Sequence, residues 1–378
     1  MNEQKSHKKP SLKDAKRLIV KIGSALLADA DSGALHRTWL ESLAADIAFM
    51  RGRGQDVVVV SSGAIAVGRR HLNFSAGPLR LDEKQAAAAT GMIRLAHAYE
   101  EALGHHGLTV AQILLTLDDS ENRRRYINAR NTLTTLLRRG AVPLINENDT
   151  VATDEIRFGE NDRLAGRVAA MIGADVLVLL SDVDGFYTAD PNKDAAARHI
   201  PLVDAITPEI TAMAGSARTE YGSGGMITKL AAARAALAAG CSVVVAAGNG
   251  ESPLKAIEDG ARCTWFLAHD NPRRARKRWI AGSLKAAGEI TVDDGALQAL
   301  KSGKSLLPAG VTQIIGDFQR GGAVLVKDAA GGEVGRGLMA YPASDARRIM
   351  GHKSGEIEEL IGYRGGDEMI HRDDLALT

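Results

Sequence analysis

The 378-residue chain has only two cysteines, Cys241 and Cys263. They form no CxxC pair and show no metal-ligand spacing, which argues against a disulfide framework and fits a reduced, cytoplasmic setting. Aromatic residues make up only 4%, too few for a base-stacking surface. The net charge is +1, so no global field draws the chain to nucleic acid or to an anionic membrane, and any such site must be local. No apolar run is long enough to span a bilayer. Residues 1–16 are polar and lysine-rich without an apolar core, which excludes a secretory signal; they read as a mobile tail. Several catalytic motifs are missing as well: there is no HExxH, and no GxSxG leads into a helix.

What is present is ordinary for a soluble two-domain protein, with 45% hydrophobic and 25% charged residues. Arg17 to Ile22 (RLIVKI) reads as a buried strand with Lys21 at its C-terminal end, followed by Gly23-Ser24. Taken alone, Lys21 suits either a ligand site or a lysine snorkelling from a strand end. Gln55 to Ser62 is a second strand, and the small-residue turn after it opens a helix where backbone N–H groups could meet an anion. Further strands are expected at 108–115, 141–145, 174–180 and 242–247. Helices are expected between them: Trp39 to Arg51, Asp82 to Leu103 with a break at Thr90-Gly91, Tyr126 to Arg138 and Arg163 to Ile172. Alternating strands and helices over 17–268 predict an open, mostly parallel α/β sheet with helices on both faces and the site along its C-terminal edge.

Two polar clusters stand out in INENDTVATDEIRFGENDR: Asn146, Glu147, Asn148 and Asp149, then Glu160, Asn161 and Asp162. Such a density of carboxylates and carboxamides makes a poor core and a good cage for a zwitterion or a metal-bound polyphosphate. Asp162 reads as an N-cap at the start of its helix. Ser181-Asp182 tips the most apolar strand. Gly222 to Lys229 (GSGGMITK) is a glycine-rich loop ending in lysine at a helix start, suited to cradling phosphates. It is neither a Walker A nor a GxGxxG motif, and Gly303-Lys304-Ser305 lacks the glycine that a P-loop needs five residues earlier. Two lysines at sheet-edge positions, a glycine-rich loop and a carboxylate cage are what phosphoryl transfer requires.

These segments resemble the bacterial glutamate 5-kinases, amino-acid-kinase-fold enzymes with a C-terminal PUA domain. The resemblance rests on VKIGS, VVSSGAIAVG, INENDTVAT with FGEND, LLSDVDGFYTADP, GSGGMITK, AGEITVDDGA and SLLPAG, in family order over nearly the whole chain after the tail. It implies ATP-dependent phosphorylation of the γ-carboxylate of L-glutamate, the first step toward proline. It also implies catalytic roles for Lys21, Lys229 and Asp162, and glutamate binding by Ser62, Asp149 and Asn161. ATP would be bound by Lys21, Ser181, Asp182, Ser223, Gly224, Gly225, Met226, Ile227, Thr228 and Lys229. Magnesium would be held largely by phosphate oxygens and water. Proline feedback and a homo-oligomer, dimer or tetramer, are typical of the family. Glu160 stands where the family pattern has aspartate. Another amino-acid carboxylate kinase on the same fold and an RNA-binding regulator are the competing readings.

Residues 269–283 read as a basic linker, with Arg273, Arg274, Arg276, Lys277 and Arg278. Short strand-like pieces at 288–292, 310–315, 323–327 and 334–339 then predict a small β-rich, PUA-like barrel over 284–378. Its closing residues, with Asp373-Asp374, read as a solvated tail. PUA domains elsewhere bind structured RNA, but domain or subunit contacts are the favoured role of this segment here.

Overall fold

The computed structural model describes residues 11–29, 32–75, 77–152, 160–215, 225–283, 285–363 and 365–378. They form two compact units. One holds the residues up to Ser120 and Ala129–Pro272, the other Glu121–Asn128 and Arg273–Thr378.

The first unit is built on strands β1 (Arg17–Ile22), β2 (Asp56–Val60), β3 (Val110–Leu115), β4 (Val142–Glu147), β5 (Val176–Ser181), β8 (Leu202–Val203), β9 (Ser242–Ala247) and β10 (Cys263–Phe266); a separate ribbon pairs β6 (Phe186–Tyr187) with β7 (His199–Ile200). The sheet order is β3-β4-β2-β1-β5-β9-β10-β8. All neighbours run parallel except β9 and β10. Strand β1 is central, with Val20 opposite Val59 on one side and Val178 on the other. Val57 to Val60 and Leu177 to Leu179 are wholly buried, as continuous β-branched and leucine runs must be when helices cover both faces. On one face, Leu43, Ile47, Leu95 and Tyr99 from helices Arg37–Gly52 and Leu81–Gly104 pack with Val20, Val57 and Val59. Helices Glu160–Ile172 and Met226–Ala238 pack against each other, the first also against β1 and β5 and the second against β9.

The break expected at Thr90-Gly91 does not occur, since Leu81–Gly104 is one continuous helix. Gly91 instead permits a close crossing with helix Ala64–His71. A Cβ there would lie 1.8 Å from the Ala64 carbonyl oxygen, and one at Gly68 would lie 1.7 Å from that of Ala87. The two helices therefore meet backbone to backbone. That crossing fixes the turn in front of helix Ala64–His71, where Gly63 takes φ 97°, a left-handed conformation that favours glycine.

The second unit carries a five-stranded sheet ordered β12-β11-β13-β14-β15: β11 (Gly288–Val292), β12 (Val311–Gly316), β13 (Ala323–Lys327), β14 (Glu333–Leu338) and β15 (Leu375–Leu377). Its pairs are antiparallel except β11 with β13. Helices Asp294–Lys301 and Ala343–Ile349 contribute Leu300, Ala346 and Ile349 to its core. The basic stretch read as a linker is helical from Pro272 to Ser283. The chain end is not a solvated tail: Leu375–Leu377 pairs with β14, and Asp374 accepts from Arg276 at 2.5 Å with both side chains largely buried.

Adding a methyl group at a backbone crossing forces the helices apart. Gly91→Ala should lower the urea-denaturation stability of the first unit by about 1–3 kcal/mol, although alanine is the better helix former. Gly104→Ala, where a Cβ meets nothing within 4 Å, should leave stability unchanged or raised. Equal effects of the two changes would refute the crossing as the constraint.

Candidate active site

Parallel strands deliver their C-terminal ends to one edge of the sheet, and among the described residues several of the polar ones singled out above gather there. Lys21 stands one residue before the end of β1, in register with Val60 of β2 and Leu179 of β5. Asp162 lies in the first turn of helix Glu160–Ile172, and Thr228 and Lys229 lie in the first turn of helix Met226–Ala238. Their side chains converge. The Lys21 ammonium is 2.6 Å from Asp162 Oδ1, and that of Lys229 is 3.7 Å from Oδ2. The Thr228 hydroxyl donates to Oδ2 at 2.8 Å. Asp162 is fully buried, and both lysines are nearly so.

The helix pair itself sets this spacing. A Cβ at Gly166 would sit 2.6 Å from the Ala232 carbonyl oxygen, so the two helices touch at their backbones. Gly166 lies one turn after Asp162, and Ala232 lies one turn after Thr228. Pinning the helices there holds both N-terminal ends together, each presenting the positive end of its backbone dipoles.

Burial by itself would raise the Asp162 carboxyl. The two ammonium charges, with hydrogen bonds from Lys21 and Thr228, outweigh burial and hold it below the usual carboxylate range. Burial lowers the Lys229 ammonium, against the opposing pull of Asp162. Two ammonium groups face this one carboxylate, and the charge of Asp182 acts on Lys229 as well.

Asp162 was expected as an N-cap, but the helix begins at Glu160, so Asp162 is inside the first turn rather than ahead of it. The Glu160 side chain lies outside the described residues. The strand expected to end at Ile145 runs on to Glu147, so Asn146 and Glu147 belong to the C-terminal end of β4, and both are buried. Asn161 meets this strand end, its Oδ1 accepting from the Glu147 backbone N–H at 3.3 Å. Asp149, also buried, follows two residues beyond. Ser62 follows β2, beside β4, where the Ser61 N–H donates to the Ile145 carbonyl at 2.9 Å. Ser62, Asp149 and Asn161 thus belong to the β2 and β4 end of the edge, next to the lysine cluster.

On the other side, Ser181 ends β5 and donates to Asp182 Oδ1 at 2.8 Å. Asp182 is close enough for its charge to act on Lys229. Gly225 caps helix Met226–Ala238, and Met226 and Ile227 open it, half-buried. Ser223 and Gly224 lie outside the described residues. Sequence reading missed Gly166, whose signal was a glycine inside a helix with no turn to serve. It also missed Tyr99, a fully buried phenol 3.3 Å from the Ser61 hydroxyl.

The depressed Asp162 carboxyl stabilises the fold fully above the ordinary aspartate value of 3.8. That contribution is lost as pH falls through the lower folded value. Asp162→Asn should therefore destabilise the first unit by about 3–5 kcal/mol at pH 7. It should also flatten the acid limb of the stability–pH curve below 3.8. Chemical denaturation across pH checks both, and an acid limb as steep as the wild type's would contradict the ion pairing.

A family model for the amino acid kinase family matches residues 16–247, and one for the PUA domain matches residues 288–361. The chain is 65% identical to the glutamate 5-kinase of Paramagnetospirillum magneticum over 96% of this chain and 98% of that one. It is 60% identical to the glutamate 5-kinase of Rhodospirillum rubrum over 95% and 96%. Among solved structures, the UMP kinase of Bacillus anthracis is similar at 16% identity and TM-score 0.48, covering 68% of this chain and 97% of that one. With more than half of its length matched and near-full-length relatives at this identity, the chain belongs to the amino acid kinase family, in the group of its members that carry a PUA domain and are named glutamate 5-kinases.

Proposed function

We propose that the protein transfers the γ-phosphoryl group of ATP to the γ-carboxylate of L-glutamate, yielding L-glutamyl 5-phosphate and ADP, the first step toward proline. The observation that carries the chemistry is the buried carboxylate of Asp162 held between Lys21 and Lys229. An acceptor oxygen of glutamate attacks the γ-phosphorus while the bond to the ADP oxygen breaks. The acceptor needs no general base, because a carboxyl with pKa near ~4.3 is already ionised at neutral pH. Negative charge spreads over the phosphoryl oxygens in the transition state. Lys21 and Lys229 meet that charge from preset positions, and Asp162 holds them there, so little reorganisation is needed at the moment of transfer.

The remaining roles follow the grouping along the sheet edge. Ser62, Asp149 and Asn161, on the β2 and β4 side, would bind glutamate. Ser181 and Asp182, with the segment from Ser223 to Lys229, would bind ATP on the β5 side. Lysine ammonium groups offer no lone pair to a metal, so magnesium would be held there on phosphate oxygens and water, where it would neutralise the β- and γ-phosphates. Proline feedback, a homo-oligomeric state and a cytoplasmic setting belong to the same proposal. Among the described residues, no helix is long and apolar enough to cross a membrane. RNA is the less favoured partner, since Arg276 of the basic stretch is already paired with Asp374.

Incubation with glutamate, Mg-ATP and hydroxylamine should give γ-glutamyl hydroxamate, with aspartate and N-acetylglutamate as poor competitors. Folded protein that yields no product, or that prefers aspartate, would overturn the reading. Asp162→Ala should lower kcat by roughly 100-fold while changing ATP binding far less, because it mis-sets the lysines at the transition state. Unchanged turnover would remove that role from Asp162.

A further inference from the structure

The contacts around Asp162 are unequal. Lys21 makes a short contact of 2.6 Å to Oδ1, whereas Lys229 stands at 3.7 Å from Oδ2. The group in short contact with Oδ2 is the Thr228 hydroxyl, at 2.8 Å. Thr228 directly precedes Lys229 in the first turn of the same helix, so both side chains reach the same carboxylate oxygen from one backbone. A hydroxyl carries a single hydrogen, and the Thr228 hydroxyl has two acceptors within reach. The second is the carbonyl oxygen of Gly225, also at 2.8 Å, where the glycine-rich segment enters the helix.

We propose that Thr228 is a positioning residue for the phosphoryl-transfer step. Its hydroxyl donates to Asp162 Oδ2, in preference to the Gly225 carbonyl, and keeps Lys229 at ion-pair distance instead of in a short contact. The inference rests on the kinase reading above. A lysine bound tightly to Asp162 in the ground state would have to break that contact to follow the transferring phosphoryl, and only interactions that strengthen in the transition state raise kcat. With its hydroxyl on Oδ2, Thr228 meets part of the carboxylate's demand for donors. Lys21 can then act as the fixed cation and Lys229 as the one that moves onto the phosphoryl oxygens. The close contact of Gly166 with Ala232 keeps the two helix ends at the separation this arrangement needs.

The test uses the full-length protein in the hydroxamate and coupled ADP assays, with melting temperature measured for each variant. Thr228→Val keeps the shape and removes the donor. It should lower kcat roughly 10- to 100-fold, a larger factor than any rise in KM for ATP, with KM for glutamate within about threefold of wild type, and Thr228→Ser should restore most of the loss. Thr228→Ala provides a second donor-free variant should the valine not fold. In the Asp162→Asn background, Thr228→Val should cost little more, because the acceptor has already been changed. A raised KM for ATP with kcat unchanged would confine Thr228 to nucleotide binding and overturn the proposal. So would a loss that the serine does not rescue, or fully additive losses in the double variant. If the wild type shows no glutamate-dependent turnover, the kinase reading itself fails and the proposal falls with it. An active wild type with an unimpaired Thr228→Val variant would defeat this inference alone.

Discussion

A single carboxylate, Asp162, is buried between two ammonium groups, and the rest of the first unit can be understood as the frame that holds it there. Burying three charges in contact is expensive, and their mutual attraction offsets this only when the geometry is held. The frame supplies the geometry in two ways. Strand β1 lies at the centre of the sheet, hydrogen-bonded on both sides, so Lys21 cannot drift. Helices Glu160–Ile172 and Met226–Ala238 touch at Gly166 and Ala232, so the ends that carry Asp162, Thr228 and Lys229 cannot separate.

The parallel sheet also explains how two ligands can be brought together. Its strand ends lie side by side in the order β4, β2, β1, β5, β9. Polar residues after β2 and β4 therefore fall on one side of Lys21, and those after β5 on the other. A carboxylate acceptor on the first side and a nucleotide on the second would meet at the lysines. Small residues are used where chain must approach chain: Gly68 and Gly91 at one helix crossing, and Gly166 at another.

Much of the scaffold was legible in the chain. Strands β9, β11 and β13 span the residues expected of them, 242–247, 288–292 and 323–327. Lys21 and Lys229 drew attention because a lysine at a strand tip and another closing a glycine-rich segment are both unusual. The errors have local causes. Asp162 looked like a cap because an acidic residue before an apolar helical run usually is one, yet the helix starts two residues earlier. Gly91 looked like a break because glycine is a poor helix former, and only a neighbouring helix gives it a reason to be there. The three residues of β15 are too few to carry a periodic signal, and they become a strand only because β14 offers them an edge.

The sequence by itself determined the alternation of strands and helices, the sheet type, the order of the two domains and the family resemblance, because hydrophobic periodicity and motif spacing are local properties of a chain. Only the tertiary structure decided which oxygen of Asp162 faces which lysine, that Thr228 shares that carboxylate, and that Gly166 sets the spacing. These depend on where two helices cross and on a sheet register that joins segments far apart in sequence. Such contacts arise from the packing of whole elements, and no short stretch of residues encodes them.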